Sequence, residues 1–395
     1  MMPTGDLNIV LMGLDFNSRN LGCSALGYSF LQVLEGVANK NSIKLNLVSV
    51  NYANAEYHGK LVNMIDLPIH IRQKQFRQSF SKAVSGADLV FDFTGGDSFT
   101  DIYGLSRFFR ESAFKQFVIS KGKNLIFGPQ TIGPFNKKIS KLWAKSLIRN
   151  SKVVFTRDQI SQEYCENEFG ILPRLTTDIA FMLQPDYSDI PILSTGKKIG
   201  INVSGLLWNG GYTGQNELGL TINYQQLIKK YIEYLIDKGW NIWLIPHVLP
   251  EDEGAPENDY TPMTALKEEY PQINLAAKFK TPMEAKAFIS KMDLFVGSRM
   301  HATIGAFSMK VPTISIAYSR KFQGLYNGID YPYVIDAKKV NDEQALNLLI
   351  EWTQKKEQLE KNVLNSIVSV EEKNRSFVDD ISKLIELAID SRRVH

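Results

Sequence analysis

The residue types best suited to chemistry are concentrated in one block, Asp293 to Lys321 (DLFVGSRMHATIGAFSMKVPTISIAYSRK). The apolar run ending at Gly297 predicts a buried strand, and the small and apolar residues from Met300 onward predict a helix that starts at once. Ser298, Arg299 and His301 then fall at a helix N-terminus on the carboxyl edge of a sheet, where free N–H groups and the positive dipole end favour an anion. Arg299 brings a guanidinium suited to bidentate contact with a carboxylate or phosphate, and His301 a group able to give or take a proton. Lys321, after Tyr318 at the end of the next expected strand, extends the same cationic edge. The chemistry implied is recognition of a small anion with a general acid beside it. The competing reading is structural, with Arg299 capping a neighbouring helix and His301 satisfied at the surface.

Other candidates also sit in loops after expected strands, where ligands of parallel sheets bind. Asp88 to Asp101 (DLVFDFTGGDSFTD) runs a strand into Gly95 and Gly96, which allow close backbone approach. Asp97 and Asp101 there suit sugar hydroxyls or a proton, or else cap a helix. Gly128 to Phe135 (GPQTIGPF) turns sharply, with Gln130 and Thr131 as ligand donors or as loop structure. Arg157 (FTRDQIS) is either a second anion ligand or the partner of Asp158. His247 (IPHVLPEDEG) fits substrate binding or a base role, and a metal is disfavoured because no second His or Cys lies at ligand spacing. Trp208 and Tyr212 (LLWNGGYTG) suit stacking on a sugar, or else belong to a mobile loop between the lobes. The dinucleotide fingerprint GxGxxG is missing, so NAD and FAD are not expected.

These residues need a framework, and the chain supplies an α/β one. Strand-like runs at Asn8–Gly13, Ile43–Val50, Asp88–Phe93, Asn124–Phe127 and Val153–Thr156 alternate with amphipathic segments such as Ser24–Lys40. A polar, proline-bearing stretch, Gln184 to Lys198, marks a boundary. The scheme then repeats: strand Ile199–Val203, helix Thr221–Lys238, strand Asn241–Val248, helix Pro282–Met292, strand Asp293–Gly297, helix Met300–Lys310 and strand Pro312–Tyr318. After Asp336 the sequence is charged and helical. A length of 395 residues itself suggests two domains, here two Rossmann-like lobes facing a cleft. With 45 Lys and Arg against 42 Asp and Glu the chain is +3, which argues against a polyanion binder working by bulk charge and against nucleic acid. The basic stretch Arg72 to Lys82 (RQKQFRQSFSK) reads as a solvated amphipathic helix, or as a peripheral contact with an anionic membrane face. Two cysteines, Cys23 and Cys165, are too few for a disulfide framework or zinc site and point to a reducing cytoplasm. No apolar run is long enough to span a bilayer, and Leu7 to Leu14 reads as a strand rather than a leader.

Taken in order, NSRNLGCSALG, FDFTGGDSFTD, GPQTIGPF, FTRDQIS, LTTDIAFML, IPHVLPED and VGSRMHATIGAFSMKVPTISIAYSRK resemble the polysaccharide pyruvyl transferase family from about Asn17 to Lys321. The resemblance implies a GT-B-like fold and transfer of the enolpyruvyl group of phosphoenolpyruvate to a sugar diol as a cyclic ketal, in surface or capsular polysaccharide synthesis. It implies no metal and no cofactor beyond phosphoenolpyruvate as co-substrate. Arg299 and His301 correspond to the family's Arg-x-His, as phosphoenolpyruvate ligand and acid or base. Lys321, Arg157 and Ser298 complete the donor side, while Gly95, Gly96, Asp97, Asp101, Gln130, Thr131, His247 and Trp208 form the acceptor or cleft side. Residues 1–187 are then the acceptor lobe, 198–336 the phosphoenolpyruvate lobe and 337–395 a helical tail packing back on them. The acceptor is a lipid-linked or nucleotide-linked sugar. Two departures are visible: Cys23 follows Gly22 where the family often has Asp, and two glycines stand at Gly95–Gly96 where three are common. The alternatives are a GT-B glycosyltransferase using a nucleotide sugar and an inactive scaffold of a polysaccharide assembly complex.

Overall fold

The computed structural model describes residues 6–51, 57–58, 61–192 and 195–394, without the side chains at 57, 58, 320, 321, 323, 393 and 394. The chain divides into two compact units, each assembled from separated segments. Unit 1 comprises Met1–Ser18, Leu26–Ile179 and Glu371–His395, and unit 2 comprises Arg19–Ala25 and Ala180–Val370. The sequence reading treats each lobe as one continuous stretch. The structure instead counts seven early residues with unit 2, changes unit at Ile179–Ala180, and splits the helical tail at Val370.

Unit 1 runs β1 (Leu7–Met12), α1 (Leu21–Asn41, its first turn counted with unit 2), β2 (Leu45–Asn51), β3 (Tyr57–His58), β4 (Val62–Pro68), α2 (Lys74–Gly86) and β5 (Leu89–Asp92). It continues with α3 (Leu105–Ser120), β6 (Leu125–Gln130), α4 (Lys138–Arg149), β7 (Val153–Thr156), α5 (Gln159–Phe169) and β8 (Arg174–Leu175). The strands lie in the order β3-β4-β2-β1-β5-β6-β7-β8, parallel except for β3 against β4. The path leaves β1 in one direction through α1 and returns past it through α2. Right-handed crossovers therefore put α1 on one face and α2 to α5 on the other. That second face is filled by aromatic side chains, among them Phe76, Phe80, Phe108 and Phe127. In α2, Phe76, Phe80 and Val84 are buried, so the basic stretch turns its phenylalanines inward and its charges outward.

Unit 2 runs β9 (Lys198–Asn202), α6 (Gly205–Trp208), α7 (Tyr224–Asp237), β10 (Asn241–Leu244), α8 (Tyr260–Glu269), β11 (Asn274–Leu275) and α9 (Pro282–Ile289). Then come β12 (Leu294–Gly297), α10 (Met300–Ser308), β13 (Thr313–Ala317), α11 (Arg320–Asn327), β14 (Val334–Asp336), α12 (Asp342–Gln354) and α13 (Lys356–Val394), whose last part belongs to unit 1. The sheet is parallel in the order β11-β10-β9-β12-β13-β14. Here the direction of winding reverses between β9 and β12, and in unit 1 between β1 and β5. Such reversals open a crevice beyond the carboxyl ends of the two strands. The loops that matter are thus Gly13 with Thr94–Gly96 in unit 1, and Asn202–Gly205 with Ser298–Arg299 in unit 2.

Candidate functional site

The unit 2 crevice is organised around Asp259, which the sequence reading did not single out. Its carboxylate is fully buried. Oδ1 accepts from the Gly205 N–H at 3.0 Å and from Arg299 Nε at 3.1 Å and Nη2 at 2.8 Å. Oδ2 accepts from the N–H groups of His247 at 3.1 Å and Val248 at 3.0 Å and from Asn202 Nδ2 at 3.3 Å. One side chain thereby fixes the loops that leave three adjacent strands, β10, β9 and β12. Arg299 is the N-cap of α10 and also donates to the Glu257 carbonyl at 2.6 Å, leaving Nη1 without a partner among the described residues. Burial opposes its charge, but Asp259 outweighs that and the guanidinium stays protonated. The structure therefore makes Arg299 an anchored cation with one nitrogen spare rather than a mobile clamp.

Ser298 is buried in the turn before α10. Its hydroxyl lies 2.8 Å from the Tyr224 hydroxyl, which also accepts from the Ser204 N–H at 3.1 Å. This contact holds the turn. Lys321 lies in α11, and its side chain is outside the described residues.

His301 occupies the first turn of α10 and is packed against Gly22. A Cβ at Gly22 would stand 2.4 Å from His301 Nδ1 and 2.7 Å from Cγ, closer than real contacts allow. The segment carrying Gly22 is fastened to the β10 loop, since the Leu21 N–H donates to the His247 carbonyl at 3.0 Å and the Leu249 N–H to the Arg19 carbonyl at 2.9 Å. Beside His301 lies a cavity of about 10 Å³, lined in part by His247, Lys286 and Ala25. That is room for about one water molecule. Both His247 ring nitrogens are buried without a hydrogen-bond partner among the described residues, so polar matter in the cavity would satisfy them. Burial, with help from the charges of His301 and Arg299, pushes the His247 imidazole down to about 3 and keeps it neutral. Lys286, on α9, is 4% exposed, donates to the Phe181 carbonyl at 3.2 Å, and is pushed down by burial to about 7. No motif marks Lys286, because only the tertiary fold reveals that this turn of α9 points inward. Among the described residues no three His, Cys, Asp or Glu side chains gather as a metal group would. At the outer side, the half-buried Trp208 ends α6, and Tyr212 is exposed, with Glu257, Tyr318 and Arg299 near enough for their charges to act on it.

Unit 1 presents a second, separate crevice. Thr94, Gly95 and Gly96 all have positive φ, at 45°, 64° and 83°, and a Cβ on Gly96 would meet Leu26 Cδ1 at 2.7 Å and Arg157 Nη1 at 3.2 Å. Glycine is required there for close approach. Arg157 is buried and pairs with Asp178, Nη1 to Oδ2 at 2.8 Å, while its Nε donates to Thr131 Oγ1 at 2.9 Å. Asp158, the partner considered from sequence, instead caps α5 through the Ser161 N–H and accepts from Thr131 Oγ1. For Asp101 the structure shows the supporting role. Both its oxygens accept backbone N–H groups, Asn136 and Lys137 at 2.8 Å each, so it holds the start of α4. Gln130 is likewise fully buried, donating to the Asp92 carbonyl at 2.8 Å. Asp97 stays near the crevice, bonded to Ser98 Oγ at 3.2 Å. Arg299, His301, His247 and Trp208 thus belong to unit 2, and Gly95, Gly96, Asp97, Asp101, Gln130, Thr131 and Arg157 to unit 1.

Two doubly wound parallel sheets, each with a built crevice at its reversal point, define the GT-B class of fold. Solved structures agree. The UDP-GlcNAc 2-epimerase from Neisseria meningitidis, bound to UDP-GlcNAc, aligns at TM-score 0.58 and 13% identity over 96% of this chain and 100% of that one. The S. aureus MnaA–UDP structure aligns at 0.57 and 11% over 97% and 98%, and the E. coli trehalose-6-phosphate structure with UDP-2-fluoro glucose at 0.52 and 8% over 95% and 99%. No curated protein gives a significant match. The polysaccharide pyruvyl transferase model matches residues 20–320, and the chain belongs to that family.

Proposed function

We propose that this protein transfers the enolpyruvyl group of phosphoenolpyruvate to two hydroxyls of a sugar, giving a cyclic ketal and inorganic phosphate. The observation that carries the reading is the placement of His301: in the first turn of α10, against Gly22, next to the anchored Arg299. In this reading the carboxylate or phosphate of the donor meets the α10 N-terminus and Arg299 Nη1. His301 protonates C3 of the enol, which leaves an oxocarbenium at C2 and a methyl group at C3. One sugar hydroxyl adds at C2 and gives up its proton; the C2–O bond to phosphate breaks, and the second hydroxyl closes the ring as its proton leaves. The role of the site is to stabilise the donor's charge and hold the proton source in place. Lys286, bordering the cavity beside His301 and pushed down by burial to about 7, is the group assigned to receive or return that proton, while His247, held neutral by burial, lines the cavity beside it. The exposed Tyr212 and the half-buried Trp208 supply stacking surface for a sugar.

The acceptor contacts are assigned to the unit 1 crevice, with the backbone of Gly95 and Gly96 and the Asp97 carboxylate as its ligand groups and Arg157 as a fixed cation held by Asp178. The reading is tested by following phosphate from phosphoenolpyruvate with candidate glycosyl acceptors. Release must require both. Transfer from a nucleotide sugar, with phosphoenolpyruvate inert, would support the glycosyltransferase alternative instead.

A further inference from the structure

The chain's mild total charge conceals an uneven distribution. Residues 69–152 hold fifteen Lys and Arg against five Asp and Glu, a net of +10, so with +3 for the whole chain the remainder carries −7. The stretch from Leu67 to Ala87 and that from Asn136 to Arg157 contain no acidic residue at all. These segments form α2 and α4, which with α3 lie side by side on one face of unit 1. The packing is direct: Phe80 meets Phe114 at 5.2 Å between α2 and α3, and Phe109 meets Trp143 at 5.7 Å between α3 and α4.

The same face carries apolar side chains in the wrong place for a water-facing surface. On α4, Ile139 is 60% and Leu142 is 59% exposed, three residues apart and so on one side of the helix. At the start of α3, Ile102, Tyr103 and Leu105 are exposed as well. Asp101, accepting from the Asn136 and Lys137 N–H groups, ties the start of α3 to the start of α4, so the five gather at one end of the helical layer. Exposed Lys137 and Lys138 flank them and form no ion pair among the described residues. Single exposed apolar residues are unremarkable, but a cluster rimmed by unpaired cations is the signature of an interfacial surface.

We propose that this face of unit 1 docks on an anionic lipid surface, with Ile139, Leu142 and the Ile102–Leu105 loop entering the headgroup region and the α2 and α4 cations contacting lipid phosphates. Charge selects this occupant. A second copy meeting the same face would set one cationic layer against another, and a free polyanion would have no use for the isoleucine and leucine. The proposal extends beyond the reaction and holds whether or not the chain transfers pyruvyl groups.

The test is flotation of the full chain with vesicles of phosphatidylcholine alone or mixed with phosphatidylglycerol. The protein should rise with the mixed vesicles and at least tenfold less with phosphatidylcholine alone. The double variant Ile139→Asp, Leu142→Asp, whose sites are exposed and remote from the core, should lose at least tenfold in binding while circular dichroism stays unchanged. Lys137→Glu with Lys138→Glu should shift half-binding to lower salt. Three results would overturn the proposal: no flotation with anionic vesicles, flotation untouched by the apolar double variant, or a dimer in solution that the same double variant dissolves. Retention on heparin that survives the double variant, without vesicle binding, would mean a polyanion surface and overturn it too.

Discussion

Gly22 and His301 show how little tolerance the site has. The glycine has helical φ, so its role is spatial: an added methyl would overlap the imidazole ring. Gly22→Ala should therefore rotate His301 out of place while leaving the sheets intact. Turnover is expected to fall by about 10²-fold, the scale on which a displacement of about 1 Å acts, with the urea midpoint nearly unchanged. Comparable losses of turnover and of stability would mean that the contact is only packing. Lys286 gives a second test at this scale. Its ammonium is disfavoured by burial, so the folded state releases a proton near 7, whereas an ordinary lysine holds it to 10.5. Within that window the unfolded state binds more protons, so stability rises with pH from about 7 upward and is lost as pH falls through that value. Lys286→Met should flatten this dependence and raise stability at neutral pH, as read from urea midpoints across the window. A wild-type profile already flat there would contradict the inward placement of the side chain.

At the scale of elements, the crevice of unit 2 depends on a carboxylate that binds three strand ends together. Asp259→Ala would orphan the buried N–H groups of Gly205, His247 and Val248 and leave the Arg299 charge uncompensated. Removing one partner of a buried pair costs about 3–5 kcal/mol, so the variant should lose that much in denaturant unfolding. Survival with a loss near zero would show that the loops hold without it. The contrast between Asp259 and Arg299 also explains what was legible in the sequence. A strand running into Ser298, Arg299 and His301 can be read locally, because the helix start and the residue types occupy a few adjacent positions. Asp259 lies forty residues from Arg299 and heads α8; nothing in its own neighbourhood distinguishes it from an ordinary polar residue. The same reason hides Asp178 from Arg157, and left Asp101 open between a sugar ligand and a helix support, a choice that its contacts with the start of α4 decide. The strand β4 (VNMIDLP) escaped as well, since an exposed Ile65, then Asp66 and Pro68, break the alternation expected of a strand.

For the whole molecule, the main revision is that neither unit is a continuous stretch of chain. Length and repetition of the α/β pattern were enough to read two Rossmann-like bodies; what they could not give is the exchange of short segments, which depends on contacts over hundreds of residues. Seven residues from Arg19 to Ala25 supply the Gly22 wall of unit 2, and the end of α13 supplies a layer of unit 1. There Phe377 packs against Phe155 at 5.1 Å and Phe30 at 6.4 Å, and Arg174 pairs with Asp380. The end of the tail is thus part of the unit 1 core. Phe377→Ala should cost about 3–5 kcal/mol in urea unfolding, whereas a loose appendage would give less than about 0.5 kcal/mol.

The proposed delivery of a proton from His301 to C3 is tested most directly by deuterium labelling. In D₂O, with phosphoenolpyruvate and a sugar acceptor, wild-type enzyme should release phosphate and place one deuterium in the ketal methyl group, as seen by mass spectrometry. His301→Asn should do neither at a measurable rate while still binding phosphoenolpyruvate. Acceptor-dependent phosphate release with the methyl deuterated at the wild-type rate in the His301→Asn variant would contradict the account.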